Sequence, residues 1–262
     1  MAEGDIVNTL LASVGSDFKD AFEFIFNERE SVSGGVQVGG SELWGFTATH
    51  LYLSLVAMLI SCAIAVPIGL WLGHKRKGEF IAVTASNVGR AVPSLALLAF
   101  FIAYLGVGFL NVTVVLVLLA LPPILTNSYV GTAQVDPDTV DAARGMGMTE
   151  IQLIRKVEFP LALPTIFGGI RISAVNVVAT ATIAPLASVN TLGTPIINAN
   201  VYGDAGRLGA AILVALLSLA VAQGLAWVQR AITPEGLKLQ GSGARRRKKI
   251  QLPRLRGEEQ PT

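Results

Sequence analysis

Side chains that could carry out chemistry are few in this chain of 262 residues, and they stand apart from one another. The two histidines, His50 and His74, lack the spacing of zinc ligands, and Cys62 is the only cysteine. The sequence contains no Gly-x-x-x-x-Gly-Lys-Ser/Thr segment, so it has no P-loop to hold ATP phosphates. We therefore expect no catalytic residues, no metal site and no cofactor bound by this chain.

The most informative segment runs from Asp141 to Pro160 and reads DAARGMGMTEIQLIRKVEFP. It predicts a short helix that Asp138 could cap, a break near Gly145 and Gly147, and a second short helix that ends before Pro160. A compact pair of helices joined by glycines is suited to docking another protein.

The second predicted helix has an apolar ridge, because Ile151, Ile154 and Val157 recur at helical spacing. Arg155 and Lys156 lie beside the ridge. Such a ridge could fill a groove on a partner while the charges fix the register of the contact.

The composition of the chain indicates that this segment lies between membrane-spanning helices. Charged residues make up 15% of the chain, well below the quarter that is usual in soluble domains, and the mean hydropathy is +0.59. A spanning helix needs about 20 mainly apolar residues. We predict an all-α membrane protein with about five transmembrane helices, at Phe46–Gly73, Val92–Tyr104 (extending to Gly108), Val112–Val130, Thr165–Val189 and Leu208–Val228.

Orientation follows from the basic residues in the short connections. Lys75, Arg76, Lys77 and Arg90 follow the first span, and Arg144, Arg155 and Lys156 lie between the third and fourth. The other two connections carry only Arg207. This alternation predicts an N-terminus outside and a C-terminus in the cytoplasm.

Three regions result from this division. Residues 1–45 form an extracytoplasmic segment, in which Phe18, Phe22, Ile25 and Phe26 predict an amphipathic helix lying on a surface. Residues 46–230 form the transmembrane domain, with the loop at 137–164. Residues 231–262 form a basic cytoplasmic tail, whose cluster from Arg245 to Lys249 is expected to meet anionic lipid headgroups.

Polar residues inside the fourth span are candidates for a translocation path. Ser173, Asn176 and Thr180 are spaced by three and four residues, hence on one helix face, and Asn190 follows the span. Hydrogen bonding between helices and lining of a pore are equally good explanations. The spans show no tight aromatic cluster of the kind that cages quaternary ammonium ions.

The loop segment resembles the EAA loop of ABC importer permeases, the coupling helix that contacts the ATP-binding subunit in that family. Seven residues fall on its spacing, with Asp for Glu, Val for Ile and Phe for Leu: Asp141, Ala142, Ala143, Gly147, Val157, Phe159 and Pro160. The resemblance implies a fold like that of type I importer permeases. It also implies a transport subunit rather than an enzyme, with ATP used by a partner.

A narrower resemblance, over about Phe46 to Gly209, is to permeases for glycine betaine, carnitine, choline and similar osmoprotectants. It rests on VPSLALL from Val92, ALPPILTNSY from Ala120, VDP from Val135 and AARGMGM from Ala142. One departure is the segment from Ser188 to Gly193, SVNTLG, where these permeases usually have a glycine-rich turn like GAGGLG.

The resemblance implies a bacterial plasma membrane as the location. It also implies ATP-binding subunits, an extracytoplasmic binding protein and a second permease copy or paralogue as partners, within membrane lipid and without nucleic acid. A permease for methionine or another small solute would share the coupling loop. A secondary transporter outside the ABC class is the other alternative, although such proteins usually show internal repeats and carboxylates in the spans.

Overall fold

A computed structural model describes residues 3–77, 79–80, 84 and 92–233, and this part of the chain is mostly helical. Its elements in chain order are α1 (Glu3–Phe26), β1 (Glu28–Glu30), β2 (Gln37–Gly39), α2 (Ser41–His74), α3 (Ser94–Leu105), α4 (Phe109–Ala133), α5 (Pro137–Gly145), α6 (Glu150–Leu153), a π-helical turn (Ile154–Glu158), α7 (Phe159–Thr180), a 3-10 helix (Ala181–Ala187), α8 (Gly193–Ile197) and α9 (Ala199–Ile232).

Four helical stretches are long and apolar enough to cross a membrane, namely α2, α4, the continuous stretch Glu150–Ala187 and α9. They correspond to the first, third, fourth and fifth predicted spans, so the helical membrane architecture is confirmed. The second predicted span corresponds to α3, an apolar helix of 12 residues. Such a helix rises about 18 Å, which is less than the roughly 30 Å of the hydrocarbon core.

The bundle has two distinct ends. At one end Arg76, just after α2, donates a hydrogen bond to the Val135 carbonyl at 3.1 Å, so α2 meets the connection between α4 and α5. We call this the loop end. At the other end Tyr202 of α9 donates to the Glu42 carboxylate of α2 at 2.9 Å, close to the strands. We call this the hairpin end.

Helices α2 and α4 approach closely through small residues. A Cβ placed on Gly73 would lie 2.6 Å from the Cβ of Thr132 and 2.7 Å from the Tyr129 carbonyl oxygen, and Gly69 lies equally tightly against Ser128. Between membrane helices such close contact replaces the hydrophobic effect as a source of stability. The two glycines, one turn apart, therefore fix α2 on α4 near the loop end.

The N-terminal segment contains the expected helix, α1, and one side of it packs on α9. Ala21 and Phe24 are buried. A Cβ on Gly209 of α9 would lie 3.0 Å from the Ala21 carbonyl oxygen, 3.3 Å from Phe24 and 3.4 Å from Ile25. Phe18, Phe22 and Phe26 are exposed, and their contact with a membrane surface stays a prediction.

Strands β1 and β2 form an antiparallel hairpin that the sequence analysis did not predict. The Arg29 guanidinium lies 4.8 Å from the centre of the Phe24 ring and donates a hydrogen bond to the Tyr202 carbonyl at 2.6 Å. Ser31 donates to the Val201 carbonyl at 2.9 Å. The hairpin thus joins α1 to the start of α9. The predicted basic tail from Arg245 to Lys249 lies outside the described residues, as does Arg90.

Candidate functional site: the coupling loop and a groove between helices

The loop begins with a capped helix. The Asp136 side chain accepts a hydrogen bond from the Asp138 backbone N–H at 3.0 Å, so Asp136 caps α5 and the prediction for Asp138 was wrong by two residues. The reason is Pro137, whose fixed φ suits the first position of a helix and places the cap directly before it.

Residues of the EAA-like motif divide between the inside and the outside of α5. Ala143 is buried with Val135, Val140 and Leu153. Asp141 and Ala142 are exposed, and the Asp141 carboxylate accepts a hydrogen bond from Arg144 at 2.8 Å. The small Ala143 therefore seats the helix, while its outer side is free for contact.

Gly147 makes the turn after α5. Its φ is +86°, a left-handed conformation that residues with a Cβ rarely adopt. Its backbone N–H donates to the Arg144 carbonyl at 2.9 Å, and that of Met148 donates to the Ala143 carbonyl at 3.4 Å. In the part of the chain that the structure describes, no neighbouring atom lies within 4 Å of where a Cβ would be. Glycine is needed here for its backbone conformation, as the sequence predicted, and not for lack of space.

The second loop helix does not end before Pro160, contrary to the sequence prediction. Thr149 and Gln152 form a capping box at its start, and the helix continues from Glu150 through the π-helical turn into α7. A proline inside an α-helix clashes with the carbonyl four residues earlier. The π-helical turn just before Pro160, in which the Phe159 N–H bonds to the Ile154 carbonyl, widens the helix at that point. We attribute the unbroken helix to this turn.

The exposed apolar side chains of the loop are Met146 and Ile151, with 74% and 62% of their surface accessible. The predicted ridge is only partly correct, because Val157 packs inward against the cluster around Leu153. Phe159 and Pro160 are half-buried, and Arg155 and Lys156 are exposed. The outer surface of the loop therefore combines two large apolar groups with basic side chains.

His74 joins α2 to this loop. Its side chain is 2% exposed, and its Nε2 and Nδ1 lie 2.5 Å from a Glu150 oxygen and 2.8 Å from a Glu158 oxygen. The stretch Glu150–Ala187 has 38 residues, about 57 Å, nearly twice the hydrocarbon core, which leaves Glu150 outside the membrane-spanning part. The hydrogen bond from His74, aided by Lys75 and Arg144, lowers the pKa of the Glu150 carboxyl.

A groove between α3, α4 and α7 contains two residues of the predicted translocation path, Asn176 and Thr180. It encloses about 340 Å³, and its other lining residues are Val92, Ser94, Leu119, Pro122, Pro123 and Ile172. The polar groups are thus two hydroxyls and one amide on otherwise apolar walls. No aromatic residue is among the described residues that line it.

The other two predicted path residues lie elsewhere. Ser173 is fully buried, and its hydroxyl donates to the Ala120 carbonyl at 2.9 Å, so it packs α7 against α4. Asn190 is exposed beyond the 3-10 helix, outside the groove. Ser94 was missed by the sequence analysis, because only the fold brings the start of α3 to α7.

Three aromatic residues lie next to one another on α3. The Phe100 ring centre lies 4.8 Å from that of Tyr104 and 5.3 Å from that of Phe101. Phe100 and Tyr104 are mainly exposed, and none of the three lines the groove.

The turn after the fourth span is built from different residues than a glycine-rich one. Ser188 has a left-handed φ of +61°. The buried Thr191 hydroxyl donates to the Ala181 carbonyl at 3.0 Å and accepts from the Gly193 N–H at 3.2 Å. A Cβ on Gly193 would collide with the Thr182 backbone. Gly193 is therefore required, while Ser188, Asn190 and Thr191 stand where three glycines were expected.

Helices long and apolar enough to cross a membrane, joined by an exposed helical loop, are the architecture expected of an importer permease subunit. The match to a family model agrees: the chain belongs to the family described as "Binding-protein-dependent transport system inner membrane component", whose model matches residues 65–235.

Relatives of known role support the assignment. The chain is 38% identical to the glycine betaine/carnitine/choline transport system permease protein OpuCB of Bacillus subtilis over 204 residues, which is 78% of this chain and 94% of that protein. It is 40% identical to the carnitine transport permease protein OpuCB of Listeria monocytogenes over 203 residues, or 77% and 93% of the two chains.

Among solved structures, the fold is similar to an inward-facing structure of the MetNI methionine ABC transporter. The TM-score is 0.65 at 22% identity, over 73% of this chain and 96% of that one. At this level of identity the similarity establishes the fold, which is that of ABC importer permeases.

Proposed function

We propose that this chain is the permease of an ATP-driven importer for glycine betaine, carnitine, choline or similar small osmoprotectants. The observation that carries the substrate class is the identity of 38–40% to permeases named for these compounds, over more than three quarters of the chain. The methionine transporter is similar at 22% identity, so it supports the fold and not the substrate.

The coupling loop is the docking site for the ATP-binding partner in this proposal. Met146 and Ile151 supply apolar contacts and Arg155 and Lys156 supply charge, while Ala143 and Val157 hold the loop on the bundle. The motif residues Asp141, Ala142, Gly147, Phe159 and Pro160 shape this surface. Hydrolysis of ATP takes place in the partner, and this chain converts its movement into transport.

The loop end faces the cytoplasm and the hairpin end faces outward. Lys75, Arg76 and Arg144 all contact groups at the loop end, which fits the excess of basic residues that cytoplasmic loops carry. Cysteine labelling at Gly34 in the hairpin connection and at Gly145 in the loop tests this orientation. Labelling of both positions from the same side of the membrane would refute it.

The translocation path runs along the groove that holds Asn176 and Thr180. No aromatic ring is among its described lining residues, which suits passage of a solute better than retention, because quaternary ammonium ions are bound tightly by several aromatic rings. Tight recognition then belongs to the extracytoplasmic binding protein. Binding of glycine betaine to the purified permease with an affinity equal to that of the complete system would contradict this division.

A second permease copy, or a related permease chain, completes the path in the membrane. The experiment for the whole proposal is co-purification of the chain with its ATP-binding and substrate-binding partners, followed by reconstitution in vesicles. Uptake of solute should require ATP and the binding protein together. Uptake that continues without ATP would identify a secondary transporter instead.

A further inference from the structure

We propose that His74, together with Arg76, clamps the coupling loop to the end of α2, so that movement of the docked partner is transmitted to this span. The proposal rests on the proposed function, and it assigns to two residues outside the EAA-like motif the role of positioning that motif.

The first observation is the double contact of His74. Glu150 is the first residue after the loop turn, and Glu158 is the last residue of the π-helical turn, yet both carboxylates contact the same imidazole ring. Each ring nitrogen lies within hydrogen-bond distance of a different carboxyl group. One imidazole ring therefore bridges two points eight residues apart, across the segment in which the helix changes its hydrogen-bond pattern.

The second observation is that the Glu158 arm of the bridge is buried. The side chains of His74 and Glu158 are 2% and 5% exposed, whereas that of Glu150 is 48% exposed. Glu150 also lies 3.5 Å from Lys75 and 3.5 Å from Arg144, whereas His74 is the one basic side chain within 4 Å of Glu158 in the part of the chain that the structure describes. Loss of His74 would leave the buried Glu158 carboxyl without this partner, which destabilises the folded chain.

The third observation is a second contact between the end of α2 and the start of the loop. Arg76 donates to the Val135 carbonyl at 3.1 Å, just before the cap of α5. Its own φ is +50°, a conformation that is unfavourable for a residue with a Cβ. Residues held in such conformations concentrate where the surrounding structure has a functional demand. The three residues after Gly73 thus contact both the beginning and the end of the loop.

Taken with the tight packing of Gly73 on Thr132, these contacts make α2, α4 and the loop one mechanical unit at the loop end. A partner that pulls on Met146 and Ile151 moves this unit as a whole. Without the bridge, the helix after Gly147 can move relative to α2. The movement of the partner then shifts the loop and is not transmitted to α2.

The test uses the complete reconstituted complex and measures solute taken up per ATP hydrolysed. In His74→Gln the amide group can donate to one carboxylate, but its oxygen cannot donate to the other. We expect the ratio to fall at least tenfold while the ATP-binding partner stays bound and continues hydrolysis. The matched control is Arg207→Gln, which removes an exposed ion pair with Asp204 at the hairpin end and should leave the ratio unchanged.

The double variant His74→Gln/Glu158→Leu removes the unpaired buried carboxyl, and so protects folding, without giving the new amide at position 74 a hydrogen-bond partner at position 158. It should remain as poorly coupled as the single variant. An unchanged ratio in His74→Gln, or recovery of the normal ratio in the double variant, would overturn the proposal, because only charge neutrality would then matter.

Hydrogen exchange of the loop amides measures the effect of the clamp independently of transport. Amides from residue 138 to residue 153 should exchange at least tenfold faster in His74→Gln than in the unmodified complex, and equal rates would overturn the clamp. If the unmodified complex shows no ATP-driven uptake while exchange still responds to His74, the proposed function fails and the physical clamp stands.

Discussion

Gly73 of α2 and Thr132 of α4 lie so close that a methyl group on the glycine would come within 2.6 Å of the threonine Cβ. Gly73 lies one residue before His74, and Thr132 lies three residues before Val135. The contact is therefore at the base of the coupling loop. Packing between two spans and the position of the loop are therefore set at the same point of the bundle.

Gly73→Ala should destabilise the permease. The added methyl group has no space, and overpacking of a tight contact costs about 1–3 kcal/mol. The measurement is the midpoint of thermal unfolding in detergent. Gly45→Ala is the matched control in the same helix, because no atom lies within 4 Å of its new Cβ. Equal unfolding midpoints for the two variants would contradict the packing described here.

Gly147→Val should abolish coupling while the chain still inserts in the membrane. A β-branched residue in the left-handed conformation costs about 1–2 kcal/mol, so the turn and the following capping box would rearrange. Co-purification of the ATP-binding partner and ATP-driven uptake are the measurements. Gly145→Val is the control, since this position is equally open without requiring a positive φ. Normal uptake by Gly147→Val would remove the turn from the mechanism.

Ile151→Asp should lower the affinity of the ATP-binding partner for the permease. Loss of a large apolar contact at the centre of an interface costs about 1–3 kcal/mol, which corresponds to roughly a 5- to 150-fold rise in dissociation constant. Val36→Asp is the control, because Val36 has the same 62% exposure but lies in the connection before β2. Similar affinities for the two variants would show that the loop surface is not the docking site.

Substitutions of Asn176 and Ser173 are expected to have different effects, although the two residues are only three positions apart. Asn176→Leu should lower uptake without changing stability, since the amide lines the groove. Ser173→Ala should lower the free energy of unfolding by about 1 kcal/mol, the usual value of one hydrogen bond, and leave uptake intact. Measuring uptake and thermal unfolding for both variants separates the two roles. The reverse pattern would place the path on the other side of α7.

Several features of this protein could be predicted from the sequence because they depend on local composition. The long apolar stretches located four spans of full length, and Gly147 marked a turn because few residues other than glycine adopt a φ of +86°. The EAA-like spacing predicts a coupling loop at residues 137–164.

Other features depend on residues that are distant in the sequence. His74 meets Glu150 and Glu158 across 76 and 84 positions, and no local pattern signals such a bridge. The continuous helix through Pro160 was missed because proline usually ends a helix, and the π-helical turn that accommodates it leaves no clear mark in the sequence. The inner position of Ser173 and the outer position of Asn176 likewise follow from the angle at which α7 packs on α4.

Uptake by vesicles that contain the complete complex tests the central claim most directly. The comparison is between glycine betaine, carnitine and choline on one side and methionine and phosphate on the other, each with and without ATP. We predict ATP-dependent uptake of one or more of the first three compounds and none of methionine or phosphate. Selective uptake of methionine or phosphate would contradict the substrate class proposed for this permease.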